Sequence, residues 1–265
     1  MDPAIVTLLI KMAAAASVVV AASLVTERVG PFLGSMVATL PASAGPIYVI
    51  LAIDHGAEFI SKSAVVGLAT NVPTAAFTVA HAVAAQRLGT LPSLTIATVI
   101  WLIGGALVLQ RPWTLAEGLA INVVAYGLAI WFTRRYAKAP LTGRPARYWY
   151  DVPVRAAGVA ALAGTVSVLG WHVGPSATGV LAAFPAVFFS LVLILQPRIG
   201  GPATAAMFVN GLKGLVGFAG ALSTVHLMAP VYGAAPALLA ALAVSVSWNI
   251  GLILVGRRTS AATKS

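Results

Sequence analysis

Nine apolar stretches of about 20 residues follow one another along the chain, separated by glycine, proline or charge. They run at roughly 4–25, 32–53, 60–85, 91–110, 114–133, 153–172, 176–196, 203–226 and 232–256. A helix rises about 1.5 Å per residue, so about 20 apolar residues cover a hydrocarbon layer of roughly 30 Å. In that layer every backbone N–H and C=O must be satisfied within the protein, which leaves helices or closed barrels. The period-two alternation of a barrel strand is absent, and runs such as Ala13–Ala22 have no polar face. The expected fold class is all-α: a polytopic membrane helix bundle of about nine transmembrane helices.

Composition excludes most soluble functions. Only 8% of residues are charged and 60% are hydrophobic, with a mean hydropathy of +0.96, whereas a soluble domain carries about a quarter charged residues. Too little polar sequence remains for a catalytic head, and no Ser/His/Asp constellation, phosphate loop or carboxylate pair occurs, so no enzyme chemistry is expected. With no cysteine, thiolate and Cys-based metal sites are excluded, and neither cofactor nor metal is expected.

Lysine and arginine outnumber acids 16 to 6, a formal charge of +10. In a soluble chain this would suggest nucleic acid; here it reads as the cytoplasmic-loop excess of an inner-membrane protein. Residues 134–151 hold five cations and one acid. Placing them in the cytoplasm puts Arg28, Arg87, Arg198 and the C-terminal Arg257, Arg258 and Lys264 on the same side. Asp2, Asp54, Glu58, Lys62 and Arg111 then lie opposite, with the N-terminus outside and the C-terminus inside. Tyr148, Trp149 and Tyr150 add headgroup-level aromatics, so anionic lipid is the expected partner of this loop.

One offset runs through the chain. Gly30-Pro31 recurs as Gly174-Pro175, 144 residues later, and the same shift takes Leu40-Pro41 to Phe184-Pro185, Gly56 to Gly200, Gly67-Leu68 to Gly211-Leu212, Gly89 to Gly233 and Lys11 to Arg155. Residues 1–112 and 152–265 thus read as two four-span units, joined by residues 113–151, a linker helix and the basic loop. Five crossings before the second unit reverse its entry face, which predicts a 4+1+4 inverted-topology repeat.

The first unit reads Ile10-Lys11, Gly34, Leu40-Pro41, then Asp54-His55-Gly56-Ala57-Glu58 and Leu91-Pro92. It resembles GlpM, a small four-helix bacterial inner-membrane protein, over almost its whole length. The second unit is similar through Phe184-Pro185 and Arg198-Ile199-Gly200-Gly201. The resemblance implies two GlpM-like units fused in tandem in a bacterial inner membrane. It implies no activity.

Inverted repeats are shared by many secondary transporters, whose solute site lies near mid-membrane between the halves. The candidate contacts follow from depth. Lys213 lies ten residues into its span, where a cation costs a few kcal/mol unless it faces a cavity or a partner. Asn210 shares its helical side, and Asn71 lies at the corresponding depth of the first unit. Pro41 and Pro185 interrupt equivalent spans and free a carbonyl one turn earlier. Glu117, one turn into the linker helix, is a proton-coupling candidate. Lys11 and Arg155 are expected to snorkel, and His55, His81, His172 and His226 to lie in loops or near span ends. Gly211, Gly214, Gly217 and Gly220 form a small-residue ridge suited to close helix packing.

The expected function is alternating-access transport of a small anionic or neutral solute. The competing expectation is a non-transporting accessory or scaffold subunit of an envelope or polysaccharide-export complex, with a membrane-complex partner or a second copy of the chain.

Overall fold

The computed structural model describes residues 3–38, 44–139 and 148–262; Pro41 and residues 140–147 of the basic loop lie outside them. The described chain forms nine α-helices: α1 (Pro3–Ala38), α2 (Ala44–His55), α3 (Ala57–Ala84), α4 (Thr90–Val108), α5 (Leu115–Thr133), α6 (Asp151–Ala182), α7 (Ala186–Ile199), α8 (Gly201–Tyr232) and α9 (Ala234–Ala262). A 3-10 turn, Arg134–Tyr136, follows α5, and no strand occurs among the described residues. Among the described residues, six helical segments are long and apolar enough to cross a membrane: Ala57–Ala84, Thr90–Val108, Leu115–Tyr136, Asp151–Ala182, Gly201–Tyr232 and Ala234–Gly256. Shorter apolar stretches occupy Ile5–Ala21, Ala44–His55 and Ala186–Ile199.

The stretch expected as one span at 176–196 is two pieces. Gly174 takes φ 72°, ψ 178° and bends α6, and Pro175 starts the next piece, because only glycine tolerates that backbone and proline suits a first helical turn. The helix stops at Ala182 and resumes at Ala186. Pro185 sits between them at φ −78°, ψ 57°, and the Ala186 N–H donates to the Phe184 carbonyl at 2.8 Å, an inverse γ-turn. Proline has no N–H for the Leu181 carbonyl; the Phe184 N–H takes its place at 3.0 Å. Three further glycines with φ of 83–85°, Gly56, Gly200 and Gly233, each form a one-residue junction between abutting helices.

Helix α3 is the centre of the bundle, packed on α8, α4, α5 and α6, while α8 also packs along α9 and α1 along α6. Ser61 meets His226 at one end of the α3–α8 pair and Ala85 meets Gly201 at the other, so the two helices run antiparallel. Within the sequence ridge, Gly217 receives the indole of Trp248 and Gly220 lies against Val244, both on α9. The outer faces of α4, α5 and α9 expose Leu102, Ile103, Leu107, Val123, Val124, Leu128, Leu239 and Leu242, the surface a bilayer covers.

Close approach in lipid depends on small residues. A Cβ at Gly179 would run into the Ser63 carbonyl, whereas one at Gly127 meets nothing within 4 Å. Gly179→Ala is expected to cost about 1–3 kcal/mol through forced backbone displacement, and Gly127→Ala to be neutral or slightly stabilising. Unfolding midpoints of the detergent-purified variants check both.

Candidate functional site: a buried polar stripe beside a broken helix

Along α3, Ser63, Gly67, Thr70, Thr74, Thr78 and His81 recur at intervals of three or four residues and therefore share one face. All are buried. From Ser63 to His81 the stripe runs about 27 Å at the rise of a helix, close to the thickness of the hydrocarbon layer. Its three threonine hydroxyls are tolerated there because they bond back into their own helix. Thr70 donates to the Val66 carbonyl at 2.8 Å, Thr78 to that of Thr74 at 3.1 Å, and Thr74 to that of Thr70 at 3.4 Å.

Four other segments close over the stripe. Tyr48 of α2 donates to the Ser63 carbonyl at 3.2 Å, and Gly179 of α6 abuts the same residue. Trp101 of α4 donates its indole N–H to Thr74 Oγ1 at 3.2 Å and meets Phe184, beside Pro185, edge-on at 5.0 Å. The interruption between α6 and α7 thus lies one aromatic ring from the middle of the stripe. At the far end, Gln196 of α7 joins His81 Nε2 at 2.9 Å and Ser93 Oγ of α4 at 3.2 Å, both through Oε1. Gln196 Nε2 donates to the Leu88 carbonyl at 3.4 Å, which orients the amide. An amide oxygen only accepts, so this network assigns the proton to His81 Nε2 and leaves Nδ1 a bare lone pair. His81 Nδ1 and Ser63 Oγ, near the two ends, are buried without a hydrogen-bond partner.

A second polar cluster lies among α3, α5 and α8. Asn71 Nδ2 donates to Asn122 Oδ1 at 3.0 Å and to the Leu215 carbonyl at 3.3 Å. Tyr126 donates to Asn71 Oδ1 at 2.9 Å, and Asn122 Nδ2 to the Leu68 and Gly118 carbonyls at 2.7 and 2.8 Å. Every polar group of these three side chains is engaged, as in helix-packing glue.

Ion pairs mark the two ends of the bundle. Lys11 Nζ of α1 lies 2.5 Å from Asp54 Oδ1 of α2, and Ser167 of α6 donates to Asp54 Oδ2 at 3.2 Å. The expectation that Lys11 snorkels gives way to this pair, because Asp54 is the penultimate residue of α2 and not part of a loop. His55 beside it stacks on Phe59 at 4.2 Å and lies at a tilt against Trp171, also at 4.2 Å. At the opposite end Arg198 makes a bidentate pair with Asp151 at 2.7 and 2.6 Å, and its guanidinium lies 4.4 Å from the Tyr148 ring centre. His226, expected near a span end, faces Ser61: its Nδ1–H reaches the Ser61 carbonyl at 3.1 Å, while Ser61 donates to the His226 carbonyl at 2.9 Å.

The structure disperses the residues singled out by depth. Asn71 is buried in its network, Pro185 forms the turn between α6 and α7, and Glu117 caps α5. Glu117 accepts from the Thr114 N–H at 2.9 Å and pairs with Arg111 at 2.8 Å, half-exposed. Lys213 and Asn210 are exposed on the outside of α8. Asn210 donates to the Ala206 and Ala137 carbonyls at 2.8 and 3.2 Å, and the Lys213 carbonyl accepts from Trp248 at 2.7 Å. What sequence reasoning missed is the hydroxyl stripe; its signal was a Ser or Thr every three to four residues, with a histidine at the end. Compared with known proteins, the chain matches no family model, no curated protein and no solved structure.

Proposed function

We propose that this chain is a small-solute secondary transporter whose two inverted halves rock about the α3–α8 pair, and that the α3 stripe is its solute path, closed at both ends. The observation that carries the reading is a polar face, buried over about 27 Å of α3, beside a helix broken at Pro185. Irregular backbone at membrane depth is tolerated where protein or a cavity satisfies it, and transporters place such breaks at their sites.

Several observations support inverted halves. The starts of α3 and α8, the starts of α4 and α9, the ends of α2 and α7 and the ends of α1 and α6 all differ by 144 residues. The central α3–α8 pair is antiparallel, and Asn71 donates to the carbonyl of Leu215, its own counterpart at that offset, as expected near an axis relating the halves. On this reading each half is the GlpM-like unit, α5 is the linker, and Pro41 is the sequence counterpart of Pro185 at the same offset. The stripe offers hydroxyl, amide and imidazole groups but no charge, which favours an uncharged, hydrogen-bonding solute. Lys213 lies outside this path.

The chain has no cysteine, so single cysteines report access directly. In proteoliposomes, Thr74→Cys is expected to react with a membrane-impermeant maleimide added from either side. Ser63→Cys and Thr78→Cys should react preferentially from opposite sides, and the exposed Glu58→Cys serves as labelling control. A Thr74→Cys variant inert from both faces, with the control labelled, would remove the carrier reading and leave the scaffold role.

A further inference from the structure

We infer that Lys213 anchors a binding site for the phosphate of an anionic membrane lipid, on the outer face of α8 at the end carrying the Arg134–Tyr136 turn. The inference stands apart from the transport reading, since Lys213 lies away from the stripe.

The argument starts from charge. Lys213 is exposed on a helix long and apolar enough to span a membrane, where a lone ammonium needs an anion or water. The four acids whose side chains are described are all engaged: Asp54 with Lys11, Glu58 with Lys62, Glu117 with Arg111 and Asp151 with Arg198. None is left for Lys213, so an anion that pairs with it comes from outside the described side chains.

Direction then selects the source. Side chains on a helix lean towards its N-terminus, and α8 begins at Gly201, against Ala85 at the end of α3. The Lys213 stem therefore rises towards the level where Asn210 meets Ala137, just after the basic turn. That turn carries Arg134 and Arg135, which lie over the rings of Trp131 and Phe132 at 5.7 and 4.8 Å. Tryptophan and tyrosine beside arginine mark the headgroup level. On the other flank Trp248 of α9 donates to the Lys213 carbonyl, so Lys213 starts from a backbone flanked by an indole and leans towards the level of the cationic turn. Acyl chains covering the apolar faces of α5 and α9 would bring a phosphate within reach of three cations at once.

The test uses the full-length protein and measures retention of individual lipids by native mass spectrometry, together with thermal unfolding. Phosphatidylglycerol is titrated against phosphatidylcholine and against inorganic phosphate. Wild type and Lys213→Arg are expected to retain phosphatidylglycerol and to be stabilised by it. Lys213→Gln is expected to bind it about fivefold more weakly, the factor for one basic residue at a lipid surface. Equal retention of phosphatidylglycerol by Lys213→Gln and wild type overturns the inference. So does an equal response to phosphatidylcholine, or one reproduced by inorganic phosphate. Thr74→Cys labelling in the Lys213→Gln background stays as in wild type, which separates failure here from failure of the transport reading.

Discussion

Asp54→Leu is expected to lower unfolding stability by about 3–5 kcal/mol, the cost of leaving one partner of a buried ion pair uncompensated. Asp54 and Lys11 side chains are only 7% and 18% exposed, and the carboxylate also holds the Ser167 hydroxyl of α6. Removing the acid leaves a largely buried ammonium with no other described acid to pair with. The double variant Lys11→Met/Asp54→Leu removes both charges, and is expected to return to within about 1–2 kcal/mol of wild type because the desolvation cost disappears with the attraction. Tryptophan-fluorescence unfolding titrations check the series. A loss below about 1 kcal/mol for Asp54→Leu alone would place the pair among screened surface bridges. Because the pair joins α1 and α2 to α6, the transport reading adds a second outcome. Asp54→Leu should speed maleimide labelling of Ser63→Cys from the Asp54 end while leaving Thr78→Cys labelling unchanged.

Asn71→Leu is the other large effect. It removes three hydrogen bonds: two donated by Asn71 to Asn122 and Leu215, and one accepted from Tyr126. Bonds between membrane helices average about 0.6 kcal/mol and reach about 1.7, and an orphaned buried acceptor costs about 1–3. A loss of about 2–4 kcal/mol is expected, measured as above. Asn122→Leu should be similarly harmful in the Asn71 background and less harmful once Asn71 is leucine, because the bond between the two amides is then already gone while those to the Leu68 and Gly118 carbonyls remain to be lost. Additive losses would mean that the two amides act through separate partners. Either way, the large stability term marks Asn71 as part of the frame against which the stripe packs.

The candidate site was partly legible in the sequence. Asn71 stood out by its depth, and it is buried where three helices meet. Pro185 stood out as a helix interruption, and the chain does break there. Lys213 stood out for the same reason as Asn71, yet it faces outward, because depth along a helix says nothing about azimuth when neighbours are unknown. His81 was read as interfacial from its place near a span end, but α4 and α7 extend past that level and enclose it. Asp54 looked like a loop residue because Gly56 follows two positions later; a single glycine at φ 83° lets α2 run to His55 and α3 begin at Ala57.

Sequence alone determined the solvent and the helical character of the chain. Long apolar runs with few charges can satisfy their backbones only as helices in a lipid-like surrounding, and the positive-φ glycines Gly56, Gly174, Gly200 and Gly233 mark junctions or a bend, whereas Pro73 and Pro230 lie inside helices. Tertiary structure alone decided which faces meet. In these spans nearly every face is apolar, so hydrophobicity cannot say which side of α3 turns towards α4 and α7 and which towards α5. That choice rests on shape, on the glycines that let backbones touch, and on hydrogen bonds between residues far apart in the chain. Those same contacts carry the buried stripe, the Asn71 network and the outward lysine.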